Sequence, residues 1–184
     1  MSRVRTSKTH PLEIATVRAG PTHGRIGITF CPGKQDESAM TGAWARDLSA
    51  DLDEIEKWGA RLVLTLVEPA ELDALGVPHL GREVQNRGIH WRHLPIVDYS
   101  VPTKAFEMEW EVQGKEIRAL LRSGGDVVLH CRGGLGRAGM MAGRILVELG
   151  MPPQQAIREV RRARKGAIET AAQERLVAQT KAIP

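Results

Sequence analysis

Short apolar runs and helical periodicities take turns along the chain. "RIGITF" from Arg25, "RLVLTLV" from Arg61, "IHWRHLPIV" from Ile89 and "DVVLH" from Asp126 have the length and apolar content of buried strands. Between them the apolar positions recur at helical spacing. Leu48, Leu52 and Ile55 share one face of a helix from Leu48 to Trp58, and Phe106, Trp110, Ile117 and Leu121 mark a second from Lys104 to Leu121. After the last strand only helices are expected: Ala138 to Leu149 ending at Gly150, Pro153 to Arg164 opened by proline, and roughly Glu169 to Lys181. Strand and helix in alternation predict an α/β fold with a central, mostly parallel sheet of four or five strands flanked by helices. Ligands of such sheets bind beyond the carboxyl ends of the strands. No repeat or low-complexity tract divides the sequence, so residues 1–11, polar and basic, read as a flexible tail and residues 12–184 as one domain.

Composition changes this picture little. The chain has 184 residues, 42% hydrophobic and 26% charged, which suits a soluble globular domain. No stretch has the apolar length of a membrane span and the N-terminus lacks a secretory pattern, so a cytoplasmic protein without membrane partners is expected. The net charge is +4, with 19 arginines against 7 lysines, a balance that favours planar recognition of phosphate or carboxylate. Four of those arginines, Arg158, Arg161, Arg162 and Arg164, fall on one helix and read as a solvated face. Cys31 and Cys131 are too few for a disulfide framework.

The chemistry is concentrated in "VVLHCRGGLGRAG", Val127 to Gly139. A buried strand ends at His130 and a helix begins near Arg137, so the glycines between form a strand-to-helix turn with Cys131 at its mouth. Such a turn leaves backbone N–H groups unpaired, and glycines let them point inward as an anion cradle. Gly133, Gly134 and Gly136 supply that freedom, and Arg137 adds a guanidinium fork. A cysteine at the bottom of the cradle has its thiolate favoured by the N–H groups, the helix dipole and the guanidinium together. The arrangement selects a phosphate ester and attacks its phosphorus.

"HCRGGLGRAG" resembles the active-site motif of the cysteine-dependent protein tyrosine phosphatase superfamily, H-C-x-x-G-x-x-R followed by Ser or Thr. "ITFCPG", "HLPIVDYSVP" and "GAIETAAQ" make the chain similar to its dual-specificity group, and most of all to the kinase-associated branch, over about Ile26 to Gln179. The resemblance implies a protein tyrosine phosphatase-like fold and a phosphocysteine enzyme needing neither cofactor nor metal. Cys131 is then the nucleophile, Asp98 the general acid, and Arg137 with the N–H groups of Arg132, Gly133, Gly134, Leu135 and Gly136 the phosphate holder. His130 fixes the loop from beneath, and Gln173 orients the water that hydrolyses phosphocysteine. The implied partner is a phosphorylated protein, a kinase among the candidates, and not nucleic acid. One residue departs from the motif: Ala138 stands where the family has Ser or Thr, whose hydroxyl helps the thiolate leave. That keeps open a phosphoprotein-binding module with little turnover, and more remotely a rhodanese-like sulfurtransferase. His90 and His93 lie three apart on a strand, on opposite faces, and do not form a metal pair. For Cys31 a packing role is favoured over reversible disulfide protection of Cys131.

Overall fold

The computed structural model describes residues 4–184. Five strands form the main sheet: β1 (Ala15–Val17), β2 (Ile26–Thr29), β5 (Ala60–Thr65), β6 (His90–His93) and β7 (Asp126–His130), in the order β1-β2-β7-β5-β6. Only β1 runs antiparallel; β2, β7, β5 and β6 are parallel neighbours. Two further short strands, β3 (Gln35–Asp36) and β4 (Trp44–Ala45), pair as a separate ribbon. The helices are α1 (Leu48–Trp58), α2 (Pro69–Ala74), α3 (Leu80–Asn86), α4 (Lys104–Arg122), α5 (Gly136–Glu148), α6 (Pro153–Ala163) and α7 (Ala171–Gln179). This is the mixed, mostly parallel sheet flanked by helices that the alternation of patterns predicts.

Local chemistry explains the boundaries. The Asp47 carboxylate accepts the Ala50 N–H at 2.7 Å to open α1, and Gly59, at φ 97°, closes it in a left-handed turn. Thr103 caps α4 in the same way. Parallel strands are covered on both faces, so β2 and the Val127–His130 part of β7 are buried at every position rather than alternating. β7 lies at the centre, and its register aligns Thr29, His130, Thr65 and His93 in one row across the carboxyl ends. Cys131 follows directly, beyond the middle of that row.

Several elements depart from the sequence reading. β1, β3 and β4 have two or three residues each, too few to show a period. α2 and α3 are short helices between β5 and β6, a stretch to which the sequence pattern assigns no element. The strand expected over "IHWRHLPIV" ends at His93, although the Leu94 and Ile96 N–H groups still reach back to Thr65 and Leu66. α5 begins two residues earlier than expected, and α7 begins at Ala171 because Thr170 caps it and Ile168 breaks the chain with φ 60°.

The tail expected over residues 1–11 lies partly outside the described residues. Within its described part Arg5 exchanges backbone hydrogen bonds with Ala43 and Ala45, and the Ser7 hydroxyl donates to Asp51 at 2.8 Å. No described helix is long and apolar enough to cross a membrane.

Candidate active site

The turn between β7 and α5 has its polar backbone sorted by direction. Its carbonyls face outward and are held: Arg132 O accepts from Cys31 N at 3.2 Å, Gly133 O and Gly134 O each accept from the Arg164 guanidinium at 3.1 Å, and Leu135 O accepts from Ile168 N. The N–H groups of Arg132, Gly133, Gly134 and Leu135 have no partner among the described residues. Buried backbone donors are rarely left so. Gly134 sits at φ 70°, where a Cβ would come within 2.5 Å of the Thr29 carbonyl carbon, so glycine alone fits there. Arg164, read from sequence as part of a solvated face, instead clamps the back of the cradle. On the same helix Arg161 binds the Ala167 and Ile168 carbonyls and Glu174, and Arg162 pairs with Glu159.

Cys131 is 3% exposed at the floor of a cleft of about 280 Å³, lined also by Asp98, Arg132, Arg137, Lys34, Asp36 and Glu169. Beneath it His130 is fully buried. The indole N–H of Trp91 donates to Thr65 Oγ1 at 2.9 Å, and that oxygen lies 2.8 Å from His130 Nε2. The Cys131 carbonyl, 3.4 Å from Nδ1, can only accept, so we assign the ring proton to Nδ1, and unprotonated Nε2 then accepts the Thr65 hydroxyl proton. Burial lowers the His130 pKa to about 4, so the ring is neutral at physiological pH.

Arg137, 1% exposed, is held by a residue that the sequence reading missed. Glu71 in α2 pairs with its two terminal nitrogens at 2.6 and 2.9 Å, and the Ile96 carbonyl accepts a third hydrogen bond at 2.9 Å. Glu71 is itself fixed by capping α2, its carboxylate accepting the Glu68 N–H. Burial pushes the Glu71 carboxyl up, but the hydrogen bonds and charge of Arg137 outweigh it and leave the carboxyl below its usual range. The signal was present as E-P-A-E after a strand, a capping box with glutamate in place of Ser or Thr.

The loop after β6 brings Asp98 to the same arginine, 3.0 Å from its guanidinium, with the carboxylate still 44% exposed to the cleft. Asp98 accepts the N–H of Tyr99, which has φ 58°, a strained backbone of the kind that clusters at functional sites. Gln173 ties this loop to α7. Its Nε2 donates to Ser100 O at 3.1 Å, while its Oε1 accepts the N–H groups of Glu169 and Thr170. It is buried beside Gly136, with one amide hydrogen uncommitted. Glu169 lines the cleft, and burial, then the charge of Asp98, raises its pKa.

Of the residues singled out in the sequence, Cys131, Arg132, Gly133, Leu135 and Arg137 line one cleft with Asp98, while His130, Gly134, Ala138 and Gln173 are buried around it and the Gly136 N–H is taken by the Glu169 carboxylate. A family model described as "Polymorphic toxin system, DSP-PTPase phosphatase" matches residues 39–151. The chain belongs to this phosphatase family. It is 34% identical over 148 residues to cyclin-dependent kinase inhibitor 3 of Rattus norvegicus, covering 79% of this chain and 66% of that protein. The Homo sapiens protein of the same name is 32% identical over the same length, and protein tyrosine phosphatase type IVA 3 of Homo sapiens 30% over 131 residues. The match thus spans just under two thirds of these relatives. Among solved structures a kinase associated phosphatase, its catalytic-site cysteine substituted by serine, superposes with a TM-score of 0.78 at 27% identity over 91% of this chain and 92% of that one. Tk-PTP in its active form gives 0.64 at 29% identity, over 89% and 93%.

Ala138 lies in the first turn of α5 with its methyl fully buried. Cys31 is buried as well, and burial pushes its thiol pKa far up, so it is the opposite of a nucleophile. His93 Nε2 lies 2.8 Å from the Val67 carbonyl, and His90 is exposed on the other side of the strand.

Proposed function

We propose that the protein is a metal-independent protein phosphatase, acting on phosphotyrosine and also phosphoserine or phosphothreonine, through a phosphocysteine on Cys131. The observation that carries this is the sorted backbone of the cradle, whose carbonyls from Arg132 to Leu135 are all held while the N–H groups of the same four residues are left without a partner beside Cys131 and Arg137. Those donors match the equatorial oxygens of a phosphoryl group, and their stabilisation grows as charge develops there. In the first step the Cys131 thiolate attacks phosphorus, the bond to the ester oxygen breaks, and Asp98 delivers its proton to that oxygen. In the second a water attacks the phosphocysteine, Asp98 takes its proton, and the P–S bond breaks to return the thiolate. The free amide hydrogen of Gln173 is available to orient that water. The relatives' names point to a cyclin-dependent kinase, and a phosphorylated kinase is a candidate substrate.

The test is hydrolysis of an aryl phosphate in EDTA by the wild type and Cys131→Ser. Serine is a poor nucleophile at its ordinary pKa, so the variant should retain the fold and tungstate binding but no more than a few per cent of the activity. A wild type that binds phosphopeptide without turning it over would replace the enzyme by a binding module, the reading that Ala138 favours.

A further inference from the structure

Three carboxylates line the catalytic cleft, and two of them have a cation. Arg132 pairs with Asp36 at 2.9 Å and Asp98 lies 3.0 Å from Arg137, whereas Glu169 makes no ion pair among the described residues. Its partner is backbone. The Gly136 N–H donates to it, and the approach is so close that a Cβ on Gly136 would fall 2.4 Å from Glu169 Oε2. The charged groups that act on Glu169 are Asp98, from the loop after β6, and Arg137, from α5. Lys34, Asp36 and Arg132 complete the charged lining of the cleft.

Gly136 follows directly on the four residues whose N–H groups are free. An oxyanion held by the N–H groups of Arg132 to Leu135 therefore meets, at the next donor along the turn, a carboxylate already in place. Two negative groups side by side repel, and repulsion grows where water is partly excluded. A proton between them turns the contact into a charge-assisted hydrogen bond. The charge of the cleft favours taking up that proton: Lys34, Arg132 and Arg137 are already matched by Asp36, Asp98 and Glu169, with Glu71 behind Arg137, before any anion enters. Burial, then the charge of Asp98, raises the proton affinity of Glu169, while the Gly136 N–H and Arg137 work the other way.

We propose that Glu169 is a specificity-determining residue that shares one proton with the bound phosphoryl group, so that the site takes oxyanions able to carry a hydrogen over those of the same shape that cannot. The inference rests on the phosphatase reading and names the ionic form of its substrate, the phosphate ester monoanion. The second pKa of such an ester is about 6, so the proton is available near neutrality. Sulfate is also tetrahedral, but near neutrality its oxygens only accept, as do those of an ionised Glu169. It can bind beside Glu169 only if the carboxyl first takes a proton from solvent.

The test is titration calorimetry of the full chain with inorganic phosphate and with sodium sulfate at pH 7, in two buffers of different ionisation enthalpy. The wild type should bind phosphate roughly ten-fold or more tightly than sulfate, and sulfate only with uptake of a proton, so that its affinity rises as pH falls. Glu169→Gln, whose amide donates to a bare oxygen, should bring the two affinities to within about two-fold and abolish the proton uptake. Glu174→Gln removes an equal charge from α7 outside the cleft and should leave the preference unchanged. Equal affinities in the wild type would overturn the proposal, and so would a preference that survives in Glu169→Gln. Hydrolysis of an aryl phosphate, measured separately, keeps the two readings apart: if it fails, the catalytic reading falls and the titrations still decide the role of Glu169. If neither anion binds, that role falls as well.

Discussion

Two of the arginine–carboxylate clusters in this fold are built from the same parts, and one of them lies beside the unpartnered N–H groups of the cradle. Between α4 and α5, Glu148 is 2% exposed and receives Arg118 at 2.6 Å, Arg144 at 2.8 Å and the Trp110 indole at 2.9 Å, while Arg144 makes a second, two-pronged pair with Glu107. Charge meets charge inside the protein, and the result is a staple between two helices. Around Arg137 the ingredients are the same, with Glu71 as the two-pronged partner. There, however, Asp98 is half exposed, Glu169 faces the same cleft, and the cradle N–H groups point at space rather than at a partner. In the first cluster both carboxylates are engaged by donors of the fold itself, and among its buried donors only Arg118 Nε lacks a partner among the described residues. The second is built around a place for a ligand, so its residues should govern rate where those of the first govern stability.

The largest effects should separate the two. Arg118→Met removes one partner of a buried pair and leaves Glu148 short of a donor, which should cost about 3 to 5 kcal/mol of unfolding free energy while activity per folded molecule stays near wild type. Arg137→Lys keeps the charge and loses the planar fork, so transition-state stabilisation should fall by about 2 to 4 kcal/mol with a smaller change in stability. Urea unfolding and aryl phosphate kinetics on both variants check this. Loss of stability and rate in the same proportion for both would erase the distinction.

The difference also marks what was legible beforehand. The cradle is contiguous, and each of its residues has a local reason to be there: β7 delivers Cys131, glycine is required at Gly134, and α5 begins beside Arg137. It could therefore be read residue by residue, as could the helices with caps such as Asp47 and Thr103. What surrounds the cradle comes from distant turns. Glu71 and Lys34 are ordinary charged residues in sequence, and only the packing of α2 and the β3–β4 ribbon against the cleft gives them work. Ile168 offered no warning at all, because a β-branched residue with φ 60° is adopted against its local preference and held by its surroundings. The short strands and α2 failed for a plainer reason, having too few residues for a period to show.

A next effect concerns the uncharged wedge beneath the open cluster. The folded His130 has a pKa of about 4, below the ordinary value of 6.5, so between those values the unfolded chain binds a proton that the folded one does not. The resulting stability is complete above pH 6.5 and is lost as pH falls through about 4, amounting to about 3 kcal/mol. Unfolding free energies at pH 7 and pH 4 should therefore drop by that much more in the wild type than in His130→Asn. An equal drop in the two would mean that the ring is not held neutral, and that the Trp91–Thr65–His130 relay does not set its state.

The smallest effect returns to the one residue of the cradle that departs from its family. In the proposed mechanism, transfer of the phosphoryl group to Cys131 would draw on the N–H groups of Arg132 to Leu135, Arg137 and Asp98. Release of the thiolate in the second step lacks the hydroxyl that family members place at the position of Ala138. A hydrogen bond to a charged group contributes about 1.5 to 3 kcal/mol, and about 1.4 kcal/mol is a factor of ten in rate. If the second step limits turnover, the wild type should release aryl alcohol in a burst close to one equivalent of enzyme, followed by a slow steady state. Ala138→Ser should then raise the steady rate by roughly ten-fold or more and shrink the burst. The added oxygen replaces a hydrogen on a fully buried methyl, so its stability should be measured alongside. Rapid-quench kinetics separate the phases: with no burst and no gain from serine, the departing sulfur is already stabilised by the cradle N–H groups and Arg137, and the open cluster has compensated for the missing hydroxyl on its own.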